Sequence, residues 1–265
     1  MKRLFSLLCI LGIISQLTAC SSRSSEESRL TVNALYKMGR AKYEQKLFEE
    51  ALRDFSRART LDPKNMDVEM QYALALFEVG EEAKAIETLK TLCERLQNSP
   101  SCFASLSYLS FRDKDYQKSI LYADRALTDP TFTFKHQALL TKGASYLQLR
   151  QLKKSLEILQ KSISNQAGQN SCLNRMLLSR AYLMLGRFKE AISEAKLGRS
   201  LCVSSFETYE WLAYAQYKSA EFNSATNTYV EARTRFKDPR SQAVINQNIS
   251  RLKQNEALAI PEIVL

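Results

Sequence analysis

The 265-residue sequence has little of what tight turns and imidazole chemistry require: seven glycines, five prolines and a single histidine, His136. A glycine loop cradling phosphate, a histidine-centred metal site and histidine-based acid/base catalysis therefore start with almost no material. Neither Cys-x-x-Cys nor His-Glu-x-x-His nor a Gly-x-Ser-x-Gly nucleophile turn occurs. No catalytic residue, metal ligand set or cofactor is expected, and the chain reads as non-enzymatic. One long apolar run is present, Leu4–Ile14, and it is too short to span a bilayer stably. What the sequence does hold is 45% hydrophobic and 25% charged residues, enough to bury a core under a solvated surface. The net charge is +10, with the basic residues spread along the chain rather than gathered in one arm. That distribution disfavours nucleic acid as a partner and leaves anionic lipid, peptidoglycan or an acidic protein surface.

Met1-Lys2-Arg3 followed by the apolar run has the form of a secretory signal, and the run ends at Leu17-Thr18-Ala19-Cys20. This stretch resembles the lipobox of bacterial lipoproteins. The resemblance implies that residues 1–19 are removed, that the Cys20 thiol carries diacylglycerol, and that acyl chains such as palmitate hold the protein on a membrane. An ordinary secretory signal with Cys20 as a bystander is the alternative. Ser21 and Ser22 follow the cysteine with no Asp, which by resemblance to sorted lipoproteins implies the periplasmic face of the outer membrane. Residues 20–31, polar through Ser21–Ser28, are expected to be a flexible tether.

The rest of the chain is organised by a repeat. Small residues recur at Gly39, Ala73, Ser107, Gly143, Ser179 and Ala213, and again at Ala51, Ala85, Ser119, Ser155, Ala191 and Ala225. A third row runs Ala58, Leu92, Ala126, Ser162, Gly198 and Ala232, and all three rows share gaps of 34, 34, 36, 36 and 34. Small side chains at a fixed period let two antiparallel helices approach closely while larger apolar neighbours fill the space beside them. One such pair cannot bury its own faces, so stacking is required. The expected fold is all-α: a right-handed α-solenoid of about six helix pairs over residues 32–239, with the first helix of each pair lining the concave side. Ile245, Ile249 and Leu252 share one face of a capping helix at residues 240–256. The apolar tail, residues 257–265, either packs back on the array or adds to a partner.

The repeat resembles the tetratricopeptide (TPR) family, whose period is 34 residues. Val32–Asn65 is the best match, with Gly39, Ala51, Phe55, Ala58 and Pro63 at family positions, and the later repeats begin near Met66, Pro100, Lys135, Cys172 and Phe206. The resemblance implies a groove for a protein segment, formed by first-helix residues: Tyr36, Arg40 and Tyr43; Met70, Leu74 and Phe77; Tyr108 and Phe111; Leu140 and Leu147; Met176, Arg180 and Leu183; Tyr214 and Tyr217. Aromatic and aliphatic area with two guanidinium groups suits an amphipathic helix or extended peptide. At any single position, packing between neighbouring helices is the competing explanation.

Without Cys9 and Cys20, four cysteines remain, an even number in an oxidising compartment. Repeat geometry brings Cys93 near Cys102 across one turn, and Cys172 near Cys202 at adjoining ends of one helix pair. Both disulfides are expected, with four buried thiols as the alternative. Lipobox, polar tether and six repeats together resemble the type IV pilus pilotin lipoproteins, which escort and help assemble the outer-membrane secretin. That resemblance implies a secretin segment as the partner. An envelope adaptor that recruits peptidoglycan enzymes or takes part in outer-membrane protein assembly is the alternative.

Overall fold

The computed structural model describes residues 29–97, 99–164 and 166–261, and every regular element among them is helical. The expected signal segment, Cys20 and the last four residues lie outside the described residues. The chain divides into two compact units at Asn98/Ser99.

The first unit contains α1 (residues 29–44), α2 (Phe48–Leu61), α3 (Met66–Glu78) and α4 (Glu82–Arg95). The helix already present at residues 29–31 corrects the expected tether of 20–31, because Val32 and Leu35 are buried with Ala58 and Val68 and carry the helix back a turn beyond its first contact. Helix α2 has Glu49 and Glu50 in its first turn and Arg59 in its last, as the macrodipole favours. Helix α3 is capped by Asn65, whose side chain accepts from the Val68 N–H at 3.2 Å.

The second unit contains α5 (Pro100–Arg112), α6 (Tyr116–Ala126), α7 (Lys135–Gln148), α8 (Leu152–Ser162), the short α9 (Gln166–Gln169), α10 (Cys172–Met184), α11 (Phe188–Leu201), α12 (Phe206–Lys218), α13 (Phe222–Arg235) and α14 (Pro239–Lys253). The junctions that lengthen the repeat are built differently. Before α7, Phe132 is buried and meets Phe134 edge-on at 6.2 Å. Before α10, the extra residues form α9, and buried Asn174 binds both the Gly168 carbonyl and the Ser162 hydroxyl. The capping helix starts at Pro239 and ends at Lys253, a turn shorter at its C-terminus than expected, with Asp238 accepting from the Ser241 N–H. Ile245, Ile249 and Leu252 pack against Tyr229 and Ala232. Leu258 of the tail is buried in the same cluster, so the described part of the tail folds back on the cap while Ile260 is exposed.

All three small-residue rows are buried. The first and second face each other twelve residues apart: Ser107 Oγ donates to the Ser119 carbonyl, Ser155 Oγ to the Gly143 carbonyl and Ser179 Oγ to the Ala191 carbonyl, all at 2.8–2.9 Å. Gly39 and Gly143 mark closer approaches, since a Cβ there would lie 2.6 Å from Phe55 Cε1 and 2.7 Å from Leu159 Cδ2. The turn inside each pair has one residue in the left-handed region: Lys46, Gly80, Lys114, Arg150, Gly186 and Ala220, with φ of 62, 88, 63, 56, 72 and 61°. This row carries the same spacing as the other three. The following N–H reaches back five residues, as in Glu81 to the Leu76 carbonyl and Glu221 to the Gln216 carbonyl, a Schellman closure that needs no glycine-rich loop.

Candidate protein-binding groove

In the first unit, Tyr36 leans on Phe55 at 6.2 Å, and Tyr43 meets Phe48 edge-on at 5.2 Å while its hydroxyl donates to Glu78. Met70 and Leu74 are half-buried. Arg40 is exposed and pairs with Glu44 one turn away at 3.2 Å, an exposed arrangement that contributes little to stability. Phe77, expected in the groove, is buried.

In the second unit, Arg112 donates to the Tyr108 hydroxyl at 2.8 Å and lies over its ring, and Phe111 tilts against Tyr116 at 5.6 Å. Leu140, Leu183 and Tyr217 are half-buried. Three expected groove residues belong to the interior instead. Leu147 is 2% exposed among Leu159, Leu177 and Leu178; Met176 is buried with Trp211 and Ala213; Tyr214 is 9% exposed. Each lies where one first helix meets the next, so the neighbour covers most of what an isolated pair would present. Burial, with a contribution from Tyr217, raises the Tyr214 pKa, and Arg180 opposes the shift. Trp211, Tyr214, Tyr217 and Phe222 form a continuous series with centroid separations of 5.8, 6.3 and 5.9 Å.

Sequence reasoning missed that Tyr116 and Phe222, at the starts of second helices, pack against the expected groove residues Phe111 and Tyr217. The signal was available: Phe48, Tyr116, Leu152, Phe188 and Phe222 open second helices at the repeat spacing, and three of these pair with an aromatic five residues earlier.

Cys172 and Cys202 are joined by a disulfide with Cα atoms 5.9 Å apart, tying the start of α10 to the end of α11. Cys93 on α4 and Cys102 on α5 are each buried and each disulfide-bonded. His136, the second residue of α7, is half-buried, and burial lowers its pKa. Its Nδ1 has no hydrogen-bond partner among the described residues. No group of three or more His, Cys, Asp or Glu there is placed to hold a metal ion, and no helix there is long and apolar enough to cross a membrane.

A tetratricopeptide-repeat family model matches residues 42–106, and helix pairs of the same build fill both units. The fold is that of a tetratricopeptide-repeat array. No curated protein sequence matches the chain. Among solved structures, the TPR fold is shared with PilW, described as a widely conserved type IV pilus biogenesis factor, at TM-score 0.68 and 19% identity over 81% of this chain and 98% of that one. It is shared with Pseudomonas aeruginosa pilF at TM-score 0.64 and 12% identity over 84% and 99%, and with a chain of the APC/C hetero-tetramer Cut9-Hcn1 at 0.66 and 15% over 86% and 46%. TPR folds of this kind are protein-interaction scaffolds, and the exposed parts of the two first-helix faces are the surfaces such a scaffold presents.

Proposed function

We propose that this TPR protein is a lipid-anchored, non-enzymatic scaffold that binds a protein segment along its first-helix faces and acts as a pilotin in type IV pilus secretin assembly. The observation that carries the reading is the fold shared with PilW and pilF over nearly the whole of those chains. Leu17-Thr18-Ala19-Cys20 supports the anchor, with acyl chains on Cys20 placing the body at the periplasmic face of the outer membrane. The partner supplies an amphipathic or extended segment, and the scaffold supplies apolar area and orientation without chemistry.

Deletion of the gene tests both parts. Loss of heat-resistant secretin multimers on unboiled gels is expected, with restoration by the native gene and not by Cys20→Ala. Normal multimers in the deletion strain would sink the pilotin assignment, and full rescue by Cys20→Ala would remove the anchor from it.

A further inference from the structure

Three half-buried arginines of the described residues have a carboxylate: Arg59 has Glu69, Arg175 has Glu194 and Arg199 has Glu231. Arg180, on the groove side of α10, is half-buried and has no hydrogen-bond or ion-pair partner among the described residues. Desolvation pulls its pKa below the ordinary arginine value; Tyr116 and Tyr214 oppose that shift, and Arg150, in the left-handed turn between α7 and α8, adds to it. Met176, one turn before Arg180, packs with Trp211 and Tyr214, and Leu183, one turn after it, packs against that cluster and against the one that Phe111 borders, so a guanidinium that folding has partly taken out of water lies on α10 between two groups of rings. No carboxylate is among the groups that act on it.

The surroundings decide what would complete this site. On one side is the pair Phe111 and Tyr116, and on the other the series Trp211, Tyr214, Tyr217 and Phe222, with Phe222 47% exposed at its end. A planar guanidinium fork matches a carboxylate in bidentate fashion, and flanking rings call for apolar side chains on either side of that charge. We infer that Arg180 is the docking point for an Asp or Glu side chain on a partner segment, with Arg150 reinforcing it and apolar residues of the same segment seated on Phe111 and Tyr116 and on the accessible end of the second series, Tyr217 and Phe222. Charge complementarity commits the face to an acidic, amphipathic peptide. The inference rests on the proposed role of this face as a protein-binding groove, and it adds the chemical identity of the segment.

Fluorescence polarisation of the purified full chain with two labelled amphipathic peptides tests it. The peptides are identical except for one central residue between Leu and Phe neighbours, Glu in one and Gln in the other. The Glu peptide is expected to bind about tenfold more tightly, as a charge-assisted hydrogen-bonded pair would give. Arg180→Gln abolishes that preference with an unchanged thermal melt, Arg180→Lys restores part of it, and Arg150→Gln, in an exposed turn, reduces it by a smaller factor. Equal binding of the two peptides by the native chain, or a preference that survives both Gln substitutions, overturns the inference alone. Failure of both peptides to bind overturns it together with the groove reading, whereas the secretin gels report on the pilotin role independently.

Discussion

The two units fill the same helix-pair geometry with different polar chemistry. In the first, two carboxylates are buried and each is met by a cation: Asp54 by Lys42 at 2.7 Å and Glu69 by Arg59 at 3.0 Å, with the Arg59 guanidinium 4.8 Å over the Tyr72 ring. In the second, no carboxylate is buried among the described residues, and the interior polar groups are hydroxyls and amides such as Ser145, Asn174, Thr228 and Asn248. Its core is the larger aromatic one, centred on Trp211, Tyr209 and Tyr229. The groove arginines follow the same division: Arg40 is neutralised by Glu44, while Arg180 is left open. The small-residue rows fix how helices meet, and they leave free how charge is managed around them. One scaffold can thus carry a self-satisfied face in one unit and a face awaiting a ligand in the other.

The largest effect is expected where the units differ most in core size. Trp211→Ala removes a fully buried indole and should cost about 3–5 kcal/mol. Because stacked repeats lose structure locally, amide exchange should accelerate through α12–α14 and stay slow in α2 and α3. Equal acceleration in both units would show that they melt as one.

A smaller contrast lies at the two close approaches. Gly39→Ala drives a Cβ into the edge of the Phe55 ring in the first unit and should cost about 1–3 kcal/mol by overpacking. Gly143→Ala meets Leu159 at Cγ as well as Cδ2, both 2.7 Å away in a fully buried side chain, so the clash lies nearer the backbone and should cost at least as much. Urea melts of the two variants compare them directly, and a clearly smaller loss at Gly143 than at Gly39 would refute this ordering.

The smallest effect separates the turns. Ala220, exposed at φ 61° in the second unit, should gain about 0.5–1 kcal/mol on replacement by glycine, and Gly80→Ala at φ 88° in the first should lose a similar amount. Midpoints that move in the same direction for both would exclude backbone strain as the cause.

The helix pairs were legible because burial of small residues leaves a period in the sequence, and Gly39, Ala51 and Ala58 sit where that period places them. The groove was less legible. Leu147, Met176 and Tyr214 occupy positions that face a ligand in an isolated pair, but a neighbouring first helix covers them, and how much it covers depends on side chains a whole repeat away. Arg180 illustrates the same limit, since its lack of a partner is decided jointly by α6, α10, α12 and the turn at Arg150. The start of α1 was hidden by the polar composition of the segment before it, which looks the same whether it forms a tether or the first turn of a helix.

The hydroxyl links twelve residues apart act as a detent. Sliding one helix of a pair past the other by a turn would separate Ser107, Ser155 and Ser179 from their carbonyls in a dry interior, at roughly 1–3 kcal/mol for each stranded group. The pairs that carry these links are therefore locked along their axes, and the compliance left to the stack is tilting of one pair against the next, which changes groove curvature without changing which side chains line it.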